Sequence, residues 1–325
     1  MKNTLSHVGF LLTLFMLISI NIKADEMKPD TVEVGIYVTS IHNIDFANRE
    51  YDITFWLWLN YKNKEFDFLR YLEIPNAKSH VYEFVAVDSA DNEIYIQMKV
   101  QCVMKDSWRV NRFPFDNQKL WLTIENSQYD AKSLVFKVDT VGGRFDRLIK
   151  YSLAGWKIDS CKITSGLSIY ETAFGSKTAT KPQSIYSAFK MRTSISHVAP
   201  ELLFLKMFIG MYIAFLISYI CFYIKRSSFD SRFSLSVGAL FATIGNKYIV
   251  ESSLPESTSF TLVDSLHGLT LTFILLTVLA TTISLKIGSD NKKYNVVRFD
   301  MITAQALLFI YLAANIYLIW DAKYG

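Results

Sequence analysis

Stepping by threes and fours from Asp230 picks out Ser234, Gly238, Phe241, Gly245, Tyr248 and Ser252. On a helix with 3.6 residues per turn these positions form one stripe, and no proline interrupts them. Small and hydroxylated residues with an acid at one end and rings between do no covalent chemistry. They can line a path for water and ions, or they can let helices approach closely. The spacing fits both. In the first reading Phe241, flanked by two glycines, is a candidate dewetting gate. Asp230 is then a candidate cation-selecting carboxylate, complicated by Arg232, Lys225 and Arg226 nearby. Lys247 and Glu251 stand one turn apart, and Asp264 opens the next apolar run. A lysine at membrane depth therefore has carboxylates at its own level, in a static or a switchable pair. His267, one turn beyond Asp264, is a candidate for pH sensitivity.

A second set of residues is aromatic. Trp56 and Trp58 project from the otherwise polar face of an alternating segment. Tyr129 follows further on, and Tyr170, Phe174 and Tyr186 bracket Gly175 to Pro182. Ring faces attract cations, so these residues are candidates for a small-molecule or ion site; packing with no ligand is the other reading. Catalysis has less support. His42, His80 and His197 are scattered, no metal-ligand spacing occurs, and there is no nucleophile elbow or phosphate loop. We expect no enzyme, no cofactor and no metal; the acidic turn at Asp88, Asp91 and Glu93 lacks an EF-hand pattern. A net charge of +4 on scattered lysines does not suggest nucleic acid.

The elements that must carry these residues divide the chain in two. Residues 1–24 read as a signal peptide: Lys2, the apolar run Val8 to Ile20, then Lys23-Ala24. Residues 25–198 read as an exported β-sandwich. Val32, Val34, Ile36 and Val38 alternate with other residues, as do Tyr51, Ile53, Phe55, Leu57 and Leu59. Further strands are expected at 94–104, 119–124, 134–138, 156–163 and 185–195, with turns at Asp88 to Asn92 and Gly142-Gly143. Residues 199–325 read as a membrane domain with helices at about 199–224, 231–252, 260–286 and 298–321. Lys225, Arg226, Lys286, Lys292, Lys293 and Arg298 fall in the first and third connections, and the second has no basic residue. The positive-inside rule then puts the amino-terminal domain and the carboxyl end outside a cell (inner) membrane. Cys102, Cys161 and Cys221 are odd in number; Cys221 packs in a helix, and a Cys102–Cys161 bridge stays open.

Phe113-Pro114-Phe115-Asp116 followed by Gln118 resembles the signature loop at the base of the extracellular domain in pentameric ligand-gated ion channels, the Cys-loop receptor superfamily. Leu254-Pro255 after the second span, and the minimal cytoplasmic loop, resemble its bacterial members in order and spacing. Where animal members carry the loop cysteines this chain has Asp106 and Leu120, so the loop is unbridged. Where a ligand-stacking aromatic often stands, before Tyr129-Asp130, it has Ser127.

The resemblance implies an immunoglobulin-like sandwich over a four-helix bundle, assembled with identical subunits as a homopentamer. It implies a cation pore lined by the second span, and a ligand site between extracellular subunits. Coupling would run through Phe46, Phe113, Pro114, Asp116, Arg192, Lys247, Glu251 and Pro255, with Arg192 paired to Glu125 or Asp116. Phe115 reads as ordinary sandwich packing. Expected partners are monovalent cations, the bilayer, the ligand and sister subunits. The alternative is a non-conducting, membrane-tethered binding or sensor protein with the same fold.

Overall fold

The computed structural model describes residues 28–90, 92–141, 144–177, 181–225, 227–290 and 296–325. The signal-peptide expectation and the Gly142-Gly143 turn lie outside these residues.

Strand β1 (Asp30–Asp45) pairs antiparallel with β2 (Glu50–Tyr61) and parallel with β7 (Leu134–Val138). With β4 (Ala77–Ala90) and β5 (Glu93–Lys105) they make a five-stranded sheet in the order β4-β5-β2-β1-β7. The facing sheet runs β3 (Leu72–Glu73), β6 (Asn117–Asn126), β9 (Ser184–His197), β8 (Trp156–Tyr170). Period-two alternation explains the closure. Val32, Val34, Ile36, Val38, Tyr51, Ile53, Phe55, Leu57 and Leu59 are all buried, facing Leu122, Ile124, Phe189 and Met191 of the other sheet.

Strand β4 was not anticipated. Nearly all of its side chains are exposed, so it carries no buried alternating face. It exists because β5 supplies its hydrogen-bond ladder, interrupted by a bulge near Phe84 at φ 50°. All three cysteines are free, so the bridge left open by the sequence is not formed.

Four helices are long and apolar enough to cross a membrane: Pro200–Tyr223, Phe229–Glu251, Leu262–Ile287 and Val296–Tyr324, called here the first to fourth spans. Polar side chains tie the fourth to the others. Near mid-depth Tyr311 stacks on Phe215 at 3.8 Å and meets Thr270 Oγ1 at 2.9 Å. At the end next to the sandwich, called here the outer end, Lys323 reaches Glu201 at 2.7 Å. In hydrocarbon such groups need protein partners, and each of these has one.

Candidate permeation stripe and ligand cleft

The second span has two unlike faces. Arg232, Ser236, Ala239, Thr243 and Val250 are buried against the other spans. Their polar atoms are satisfied there: Ser236 Oγ meets Cys221 Sγ at 3.2 Å, and the Thr243 hydroxyl donates to Ala239 O at 2.9 Å. Asp230, Ser234, Gly238, Phe241, Gly245, Tyr248 and Ser252 are all exposed in the subunit. Phe241 is 66% exposed and Tyr248 75%, although both rings would gain by burial.

The glycines distinguish the two readings of the stripe. A Cβ added at Gly238 or Gly245 would meet nothing within 4 Å, so neither is small in order to admit another helix of its own chain. Gly210 in the first span is the contrast: its Cβ would lie 3.1 Å from the Asn246 amide, a tight contact, so the first and second spans do approach closely there.

At the outer end Lys247 Nζ lies 2.9 Å from Glu251 and 3.1 Å from Asp264, bridging the second and third spans. Asp264 also accepts from the Thr261 hydroxyl at 2.8 Å. His267, a candidate for pH sensitivity, is fully buried. Its Nδ1 is 2.8 Å from Val263 O and its Nε2 3.0 Å from Asn246 Oδ1, while the Asn246 amide donates to Met207 O at 3.1 Å. These residues clamp three spans together, and the ring serves as a cross-link away from water.

Where the sandwich meets the helices, Phe46 lies among Trp108, Phe113 and Trp156 at 5.0, 5.5 and 5.8 Å. It belongs to the floor of the sandwich. The Phe113-Pro114 bond is cis. Asp116 Oδ2 accepts from the Gln118 amide at 2.5 Å, whereas its buried Oδ1 has no hydrogen-bond partner. Burial lifts this carboxyl to about 7, and that of Asp106 to about 6.

Two expectations at this junction are corrected. Arg192 pairs with neither Glu125 nor Asp116: its guanidinium lies 3.6 Å over the Trp121 ring. The cause is register, because Arg192 and Trp121 are direct cross-strand partners on the outer face of their sheet. Phe115 is not sandwich packing, since it reaches Phe204 of the first span at 5.6 Å. Three hydrogen bonds that the sequence did not suggest run from the sandwich to the loop between the second and third spans, where Pro255 is buried, and to the first residue of the third span. Arg49 donates to Glu256 O at 3.0 Å, and Asn111 accepts from Leu262 N at 2.8 Å and Ser259 Oγ at 3.1 Å.

The aromatic candidates separate. Tyr170, Phe174 and Tyr186 converge, with ring centroids 5.7, 5.8 and 6.5 Å apart. With Glu73, Glu125, Ser127 and Glu171 they line an open cleft of about 640 Å³. The Tyr170 hydroxyl donates to the buried Glu125 carboxylate at 2.9 Å, and burial followed by that carboxylate pushes the phenol upward. Rings beside carboxylates suit a cation. Trp56 and Trp58 lie on the other sheet. Trp58 covers Gly35, where a Cβ would come within 2.1 Å of its ring, and its Nε1 donates to Asp139 at 2.9 Å. Trp56 packs 6.2 Å from Phe84. Tyr129 turns inward onto Phe66 at 4.8 Å. Within one subunit only three of the six share a cleft.

At the end remote from the sandwich, called here the inner end, Arg232 is 3% exposed and turned away from Asp230, so it does not contend with that carboxylate for the same face. Its Nη1 lies 3.5 Å from Asp300 of the fourth span, its Nε donates to Ile224 O at 2.9 Å, and its Nη2 donates to the same carbonyl.

A β-sandwich is joined to four helices long and apolar enough to cross a membrane, and one face of the second is left open in the chain. No family model matches the chain. It is 22% identical over 323 aligned residues to a proton-gated ion channel of Gloeobacter violaceus, covering 91% of this chain and 83% of that protein. The likeness extends over nearly the whole length, and that relative is a channel and not an enzyme.

Proposed function

We propose that the chain is one subunit of a pentameric ligand-gated ion channel. It sits in a cell membrane with the sandwich and the carboxyl end outside, and passes monovalent cations along the second span. The carrying observation is the exposed stripe from Asp230 to Ser252, whose glycines touch nothing in their own chain. Packed round an axis, these stripes would enclose water, narrow at Phe241 and end at a ring of Asp230 carboxylates. The ligand is a small organic cation held by Tyr170, Phe174 and Tyr186 above Glu125, with a neighbour's Trp56 available to close the cleft.

A second reading of the ligand rests on Asp116 and on the similarity to a proton-gated ion channel. This carboxyl, buried and lacking one partner, is placed to titrate near neutral pH, so protons themselves are an agonist to test.

Full-length protein in liposomes or oocytes, challenged with organic amines and pH steps in asymmetric salt, separates these readings. A cation-selective current that appears with an amine and weakens in Tyr186→Ala supports the first. A current evoked by acid alone and lost in Asp116→Asn supports the second. In either case Phe241→Ala raises the resting current. Silence throughout, with monomers by size, leaves a non-conducting binding protein.

A further inference from the structure

The buried guanidinium at the inner end of the second span carries an inference about selectivity. We propose that Asp300, in the fourth span and remote from the water path, is a selectivity-determining residue: it neutralises Arg232 inside the protein, so that this arginine does not offset the Asp230 charge at the inner mouth. The inference rests on the second span lining the pore.

The geometry is specific. Arg232 follows Asp230 by two positions, roughly 200° round the helix, so the two side chains leave on opposite faces. Asp230 is exposed, whereas Arg232 and Asp300 are 3% and 4% exposed. The guanidinium is fixed from two sides: Asp300 holds Nη1 at 3.5 Å, and Ile224 O accepts from Nε at 2.9 Å and from Nη2. Cys221 Sγ, 3.2 Å from Arg232 O, docks the end of the first span on the same turn. The arginine thus joins the first, second and fourth spans at one depth, and its charge has a carboxylate against it.

An arginine two residues from a carboxylate ring should weaken cation attraction, because charges behind a low-dielectric wall act over longer distances than charges in water. Paired with Asp300 it adds no net charge. Removing the Asp300 charge leaves one uncompensated positive charge per subunit behind the Asp230 ring. Removing the Arg232 charge takes one positive charge away from the same site. The two single changes therefore act in opposite directions on ion preference, and neither alters a residue of the water path.

Reversal potentials in asymmetric sodium chloride test this on the full-length protein. D300N is expected to lower the cation-to-anion permeability ratio by about threefold or more, R232Q to hold or raise it, and R232Q/D300N to return it to near the wild-type value. If D300N does not assemble, R232Q and the double variant still carry the test, since they differ only in whether Asp300 is charged. Conducting variants that all keep the wild-type reversal potential overturn the inference and leave the channel reading intact. A wild type that never conducts removes both. Equal losses of current in every variant with unmoved selectivity would reduce the pair to a structural tie.

Discussion

The second span carries an ion network at each end, and they are built differently. At the outer end Lys247 is shared between Glu251 and Asp264, with side chains 32%, 46% and 23% exposed. At the inner end the side chains of Arg232 and Asp300 are 3% and 6% exposed, and the arginine is also held by a backbone carbonyl. Water can replace either outer partner as it leaves, so that network can break and re-form at little cost. The inner one cannot, because separation would strand a charge in a dry site. The difference predicts that any tilt of the second span would turn about the inner end, with the outer end moving more. The outer end is also where the loop after the second span touches the sandwich through Arg49 and Asn111.

Removing one inner partner is the severest way to break this contrast. Asp300→Ala should cost about 3–5 kcal/mol, since it leaves a buried guanidinium uncompensated, and thermal unfolding in detergent would measure it. A loss below about 1 kcal/mol would mean that water already reaches the site and that the two ends are alike.

Asp116, at the junction above the outer end, gives a smaller effect with a definite pH signature. Its folded value of about 7 lies above the ordinary 3.8, so the folded protein binds the extra proton between those pH values. The stabilising contribution is present at low pH and is lost as the pH rises from about 4 to 7. Asp116→Asn removes that slope and should gain about 1–3 kcal/mol relative to wild type between pH 5 and pH 8. Parallel stability curves for the two proteins would show that Asp116 is solvated.

The mildest change is Lys247→Gln, expected to cost about 0.5–1 kcal/mol and to lose even that in high salt. Its larger consequence should be in the ligand concentration needed for half-maximal current. If instead it unfolds the protein as Asp300→Ala does, the outer network is a fixed clamp and the pivot argument fails.

Much of this was legible in the residues. Period-two alternation marked β1 and β2, and long apolar runs marked the four spans, because burial on one face or on all sides leaves a periodic trace. Strand β4 left none, since its stability comes from pairing with β5 and not from a buried face. The stripe from Asp230 to Ser252 could be written down from spacing alone. The same spacing could not say whether its glycines admit a helix or face open space. Arg232 was misjudged for a related reason: nearness to Asp230 in sequence suggested competition, while helical geometry and Asp300, far along the chain, took its charge elsewhere.

The sequence by itself determined the two-part plan, the number of spans and the stripe, since periodicity and hydrophobic length are local properties that each segment expresses alone. Tertiary structure alone decided which charges cancel, which rings share a cleft and which oxygen of Asp116 is left without a hydrogen bond. Those outcomes depend on which distant residues meet: Asp300 with Arg232, Tyr170 with Glu125, Arg192 with Trp121 and not with an acid. No local pattern encodes such meetings, because they follow from register and packing between elements.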